Sequence, residues 1–342
     1  MNGTLGRKTR GSRAAFLGLL VAAVSLLLGA GNAAAATVTV GSPLTASFGS
    51  TTVFGNVTTT ANTALPEPGA NVVSPVNGTI VRWRITAASG GPFYLRVLTP
   101  AGGSPAEYTG AGTSAPETPS SMATQTFSTN MPIRAGQTIG LNNTNTSDQE
   151  GFASVTGAKT GIWSPPLGNG ETRASTANAT NEENGFNADV QPYPSVSSVS
   201  PTSGPASGGT SVTIIGHNFD GTTAVNFGST PAASFTVFSD SVIMAVTRPS
   251  SAGTVDVTVR NPGQSATGAG DRFTFVGPKC VVPKLKGKSL KKARKALKKA
   301  HCKLGKVKGP KGKNARVKKQ KPKAGTVLKA GSKVSVTTKR KK

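Results

Sequence analysis

Between Lys279 and the C-terminal Lys342 the chain carries 23 lysines and three arginines, and not one aspartate or glutamate. Whatever folds there must hold 26 like charges on 64 residues. A unit of that length has a radius of gyration of roughly 11 Å, so most of its charges lie within about one Debye length of each other. It also buries little apolar surface against which to offset that repulsion. A covalent staple is therefore expected. The chain's two cysteines, Cys280 and Cys302, both fall in this segment. An even cysteine count in an exported chain favours a disulfide, and loop entropy gives such a bridge about 3 kcal/mol. Two cysteines and the neighbouring His301 are too few for a structural zinc site.

The rest of the chain is electrically ordinary. Residues 1 to 278 hold 13 basic and 13 acidic side chains, and residues 37 to 278 hold nine basic against 13 acidic. The difference is the N-terminal set Arg7, Lys8, Arg10 and Arg13, which precedes an apolar stretch from Ala14 to Leu28 and the small residues Ala33 to Ala36. That order is the order of a secretory signal. The apolar run is shorter than the roughly 20 residues that span a bilayer. Residues 1–36 are accordingly read as a signal peptide cleaved near Ala36, with a retained anchor as the alternative, and the protein as secreted or bound to the cell envelope.

Gly and Pro together number 65 of 342 residues, a level that fits β-sandwiches with many turns. Residues 37–192 show short alternating runs between turn clusters. In Ile80 to Ile85, the residues Val81, Trp83 and Ile85 alternate with Arg82 and Arg84, the pattern of a half-buried strand. Phe93 to Leu98, Gln137 to Leu141 and Gly185 to Val190 read as further strands. A jelly-roll-like β-sandwich of unknown ligand is predicted.

Residues 194–276 give a sharper pattern. Val199-Ser200-Pro201 and Gly208-Gly209-Thr210 lead into Val212-Thr213-Ile214-Ile215-Gly216-His217-Asn218-Phe219. Ala224 to Gly228, Gly253 to Asn261 and Asp271 to Phe275 follow, with Val212 and Ile214, and Val255, Val257 and Val259, in period-two alternation. This closely resembles the immunoglobulin-like IPT/TIG domain. The resemblance implies a small β-sandwich and modular use as a spacer, dimerisation module or binding surface.

In residues 279–342, Ser289 is placed to cap a helix bearing Leu290, Ala293, Ala296, Leu297 and Ala300 at helical spacing, with Gly305 as the stop. Lys303 to Val307, Arg316 to Gln320 and Lys333 to Thr337 read as three short strands, giving a small α+β unit of one helix on a three-stranded sheet. Val282-Pro283, Gly287, Ser289-Leu290, Ala293, Ala296-Leu297, Leu304-Gly305, Gln320, Pro322, Ala324-Gly325 and Gly331 to Val334 resemble the PASTA domain, a module linked to peptidoglycan recognition. Family members usually carry acidic residues, for example after the opening Val-Pro, where this chain has Lys284.

Lysines bind anions as point charges on flexible stems. The anion-binding candidates are Lys291, Lys292, Arg294, Lys295, Lys298 and Lys299 on the helix, and Lys318, Lys319, Lys321 and Lys323 beyond it. The expected partner is peptidoglycan or an anionic wall polymer, with anionic lipid as an alternative polyanion. Nucleic acid is the rival, but an export signal and the absence of any aromatic residue after Phe275 argue against it.

No catalytic constellation, cofactor motif or metal-ligand spacing stands out, and the chain is read as a non-enzymatic binding and tethering protein. Two readings compete with it: a surface protein that binds polyanions non-specifically, and an unrecognised hydrolase in residues 37–192. The second requires convergent carboxylates near Glu182, Glu183 and Asp189. Asp148 and Glu150, or that same cluster, could instead hold calcium, and Trp163 is either a sugar platform or an aromatic packed onto the sandwich. His217 reads as structural or exposed.

Overall fold

The computed structural model describes residues 36–340 apart from 54 and 104–106. The expected signal peptide therefore lies outside the described residues, save for Ala36. Among the described residues the structure is mostly β, with one helix, and no helix is long and apolar enough to cross a membrane.

The first sandwich is built on eight strands: Val38–Gly41, Thr59–Ala64, Gly78–Ile85, Tyr94–Gly102, Glu107–Thr113, Gln125–Ile133, Thr138–Asn142 and Phe186–Pro192. Counted in chain order, one sheet runs first, eighth, third, sixth, and the other runs second, seventh, fourth, fifth. Neighbours in each sheet come from distant points of the chain, as in the two interlocked Greek keys of a jelly roll. The second sheet is widened by Gln149–Trp163, Thr172–Ala174 and Ala177–Asn184, inserted before the last strand, and by Gly49–Val53.

Between the sheets lie Ile80, Trp83, Ile85, Phe93, Leu95, Val97, Ile139, Leu141, Phe186 and Val190, all 1% exposed or less. The alternation expected through Val81 is broken. The pairing of Gly78–Ile85 with both neighbours slips between Ile80 and Arg82, so Val81 is a bulged extra residue and Ile80 enters the core in its place. A second, smaller apolar cluster of Ala61, Leu98, Tyr108, Trp163 and Leu167 forms on the outside of the larger sheet.

Residues 195–276 form the second sandwich. One sheet holds Ser195–Ser200, Ser211–His217, Val242–Val246 and Ser234–Ser239. The other centres on Gly253–Asn261, flanked by Ala224–Phe227 and Arg272–Val276. Val212, Ile214, Val257 and Val259 point inward as their alternation requires. Phe227, Phe273 and Phe275 meet edge to face with centroids 5.0 to 6.2 Å apart, geometry that aromatic quadrupoles favour. Gly216 must be glycine, because a Cβ there would lie 1.8 Å from the Ser195 carbonyl.

The basic segment packs helix α1, Leu290–Lys299, against a three-stranded sheet. Its central strand, Lys333–Arg340, runs parallel to Lys303–Lys308 and antiparallel to Ala315–Lys321. Lys279–Val281 and Val327–Lys329 add a separate two-stranded ladder. Ser289 caps α1 by accepting a hydrogen bond from the Lys292 amide at 3.3 Å, and Ala293 and Leu297 bury its apolar face.

The stop differs from the expected Gly305, which lies inside a strand. His301 ends the helix in the left-handed region with φ 55°. The Cys302 amide donates to the Leu297 carbonyl at 2.8 Å and the His301 amide to the Lys298 carbonyl at 3.1 Å, the two bonds of a Schellman motif. Cys302 is joined to Cys280 by a disulfide, with their Cα atoms 4.9 Å apart.

Candidate functional site

The expected cluster of Glu182, Glu183 and Asp189 is divided between the two sheets. Asp189 lies in the smaller sheet, on the face away from Trp83. There its carboxylate takes hydrogen bonds from Arg82, from Arg84 at 2.6 and 3.0 Å, and from Thr39 at 3.1 Å. Burial alone would raise its pKa, but the two guanidiniums and the hydroxyl hold it below the ordinary aspartate value.

Glu183 is fully buried on Ala177–Asn184 in the other sheet. Desolvation and the neighbouring Glu67 push its pKa up. Glu182, beside it in the strand, is half-buried and also shifted upward by burial. Glu150 is 4% exposed and accepts the Thr60 hydroxyl at 2.8 Å, and desolvation pushes its pKa to about 8.

Asp148 is committed to its own turn, accepting from the amides of Gly91, Thr144 and Asn145 at 2.7 to 2.9 Å. It is therefore a staple between two loops. Among the described residues no three His, Cys, Asp or Glu are grouped to hold a metal. Trp163 is fully buried, with its indole N–H donated to the Arg173 carbonyl at 3.1 Å, so it offers no face to a sugar. His217 is exposed on its strand.

The basic unit, by contrast, gathers part of its charge into a defined surface. On the side of the three-stranded sheet a groove of about 620 Å³ is lined by Lys306, Lys308, Lys319, Gln320, Lys321, Pro322, Lys323, Ser335, Val336 and Thr337. Its geometry follows from register. Thr337 of the central strand stands opposite Lys308 on one side and Lys319 on the other, and Ser335 stands opposite Lys321. Adjacent strands are about 4.8 Å apart, so the two lysine walls rise roughly 10 Å apart over a floor of small hydroxyl side chains.

Gln320 fixes one wall from within. Its side-chain oxygen accepts the Leu285 amide at 2.7 Å and its Nε2 donates to the Pro283 carbonyl at 3.0 Å. That tie holds the strand bearing Lys319 and Lys321 to the entry loop.

Of the ten sequence candidates, Lys319, Lys321 and Lys323 line this trough. Lys291 and Arg294 line a second, smaller concavity of about 560 Å³ with Leu290, Gly305, Val307 and Lys311. Lys292, Lys295, Lys298, Lys299 and Lys318 are exposed and line neither. Lys306 and Lys308 were not among the candidates. Their signal was the alternation Lys306-Val307-Lys308, which sends both lysines to the face opposite a buried-side valine. Among the described residues no ion pair involves the basic unit, which holds no Asp or Glu of its own. The trough therefore presents uncompensated positive charge.

A search of curated proteins returned no match. Among solved structures, similar ones include two of the plexin A4 full extracellular region. They are 17% and 19% identical, cover 52% and 59% of this chain and 14% and 18% of those chains, and have TM-scores of 0.23 and 0.22. Another is SGBP-B from a complex xyloglucan utilization locus in Bacteroides uniformis, 16% identical, covering 58% of this chain and 47% of that one, with a TM-score of 0.21. The chain thus spans less than half the length of each. Models of two domain families match its C-terminal portion, after the first sandwich, over which no family matches. The chain carries an IPT/TIG domain over residues 194–275 followed by a PASTA domain over residues 281–340.

Proposed function

We propose that this chain is an exported, non-catalytic tether of the cell envelope, held there by capture of an anionic wall polymer in the lysine trough of its PASTA domain. Both matched families are non-catalytic and point to an extracellular, envelope-related β protein. PASTA domains generally bind peptidoglycan or related wall components. The observation that carries the reading is the trough itself: two lysine walls, a hydroxyl floor and no acid within it. A linear polyanion laid between the walls relieves their mutual repulsion and releases its own counterions, so binding weakens steeply with salt. The IPT/TIG domain acts as a spacer and the first sandwich is the displayed part.

The test is co-sedimentation of the full chain with purified peptidoglycan sacculi, before and after removal of their anionic polymers, across a salt series. Substituting Lys308→Gln, Lys319→Gln, Lys321→Gln and Lys323→Gln together is expected to lower retention roughly tenfold or more at physiological salt. The matched set Lys292→Gln, Lys295→Gln, Lys298→Gln and Lys299→Gln removes the same charge from outside the trough and is expected to have a much smaller effect. Equal losses from both sets would reduce the domain to a generic polycation.

A further inference from the structure

We propose that the outer face of the larger sheet of the first sandwich carries a carboxylate-binding site centred on Arg96. Arg96 stands between Leu95 and Val97, which both enter the core, so alternation sends it to the opposite face. There it is only 5% exposed. A guanidinium stays charged at any working pH, and a buried charge without a counter-charge is strongly destabilising.

Arg82, Arg84, Arg173 and Arg272 each have a carboxylate within ion-pair distance. Arg96 has none, although all 13 acidic residues of the chain lie within the described residues. Among the described residues its side chain makes one hydrogen bond, to a neutral group: Nη2 donates to Asn169 Oδ1 at 2.9 Å, an oxygen that also accepts the Thr113 hydroxyl at 3.2 Å. The Nε–H is buried and has no acceptor among the described residues. Desolvation lowers the affinity of Arg96 for its proton and nothing nearby counters it.

The surroundings hold this cation in place. A Cβ on Gly110 would lie 2.9 Å from Arg96 Nη2 and 2.2 Å from the Gly168 carbonyl. Only glycine there lets the guanidinium and the turn carrying Asn169 close onto the same strand. Two residues before Arg96, on the same face, stands Tyr94, paired across the sheet with Asn142. The side-chain oxygen of Asn142 accepts the Thr59 hydroxyl at 2.6 Å. Asn169 and Thr113 thus stand at the guanidinium, and Tyr94 and Asn142 lie further along the same face. The next basic residue after Asn169 in sequence, Arg173 on the strand Thr172–Ala174, is engaged by Glu171 at 2.8 Å. A planar monoanion that accepts two parallel N–H groups fits this fork, and a carboxylate is that group. A dianionic phosphate calls for a second positive charge that the site lacks.

The site is independent of the PASTA trough, and the test keeps the two apart. Thermal unfolding of the full chain is followed in high salt, which screens the basic domain, with glucuronate, N-acetylalanine, inorganic phosphate or neutral glucose added. A carboxylate at about ten times its Kd is expected to raise the midpoint of the first sandwich by about 4 °C, and glucose to leave it unchanged. A shift with glucuronate alone identifies a sugar acid, and one with N-acetylalanine alone a peptide carboxylate. Arg96→Met is expected to abolish the shift without lowering the unliganded midpoint, because it removes an uncompensated buried charge. Arg96→Lys, which keeps the charge but loses the fork, is expected to weaken the shift. Three results overturn the proposal: no shift with either carboxylate, an equal shift in Arg96→Met, or an unliganded Arg96→Met midpoint well below that of the parent, which makes Arg96 a structural strut.

Discussion

Glu150 illustrates how a single side chain sets the pH response of a whole sandwich. It is buried against the Thr60 hydroxyl with no cation beside it, and its pKa is pushed up to about 8 from an ordinary value of 4.5. The folded protein therefore keeps a proton that the unfolded chain releases near pH 4.5. Stability contributed by this group is greatest at low pH and falls as pH rises from about 4.5 to 8. Glu183 is shifted the same way. Asp189 works in the opposite sense. Its pKa is lowered by Arg84 and Arg82, so its contribution is present above the unfolded aspartate value and is lost as pH falls through the lower folded one. Raising the pH from 5 to 8 is expected to destabilise the first sandwich by on the order of 3 kcal/mol, read by chemical denaturation at each pH. Glu150→Gln is expected to flatten that slope. None of this was legible in sequence, where Glu150, Glu183 and Asp189 are three carboxylates of one kind. Their environments come from strands more than 80 residues away, such as those bearing Thr60 and Arg84.

Elements were more legible than residues. The alternation of Trp83 and Ile85, the capping Ser289 and the helical spacing of Ala293 and Leu297 all depend on contacts within a few residues, and each is found where the pattern puts it. Two local expectations failed for non-local reasons. Val81 is pushed out of the core by a bulge that both partner strands share. The helix stops at His301 rather than a glycine because the next residue, Cys302, is bonded to Cys280 and also donates its amide back to Leu297. The lysine trough was half visible: Lys319, Lys321 and Lys323 lie in one run, but Lys306 and Lys308 join them only through the intervening C-terminal strand. The staple argument is tested directly. Cys280→Ser with Cys302→Ser, or reduction, is expected to lower the stability of the PASTA domain by about 3 kcal/mol, measured as the denaturation midpoint of its transition.

Across the whole molecule charge is segregated by domain. The PASTA segment holds 26 positive charges and no negative ones, while residues 37 to 278 carry a small negative excess. Self-repulsion is therefore concentrated in the smallest folded unit, and screening is expected to stabilise that unit selectively. Calorimetry of the full chain from about 20 mM to about 500 mM salt should raise the PASTA transition by several degrees and leave the two sandwiches nearly unchanged. Parallel shifts of all transitions would argue for a general salt effect. The first junction is short and stitched. Gln191 donates to Asn261 at 2.7 Å, and Tyr193 lies so close to Gly263 that a Cβ there would come within 2.3 Å of its ring. Sequence composition located these charges because charge is a property of chain position. The site proposed on the first sandwich rests on which groups lack partners, and only the folded arrangement shows that.

The position of the disulfide has a mechanical meaning. Cys280 lies where the chain enters the PASTA domain, and Cys302 immediately precedes Lys303–Lys308, the strand that raises one wall of the trough. If the trough is gripped by the wall and the upstream domains are pulled, tension passes through the sulfur bridge from one end of the loop to the other. The helix between them is shunted out of the load path. The 22-residue span of the loop, which would release roughly 75 Å of chain if stretched, stays folded under load. On the proposed tethering, the oxidised chain is nearly inextensible at its wall-bound end, and reduction turns the same link into a spring.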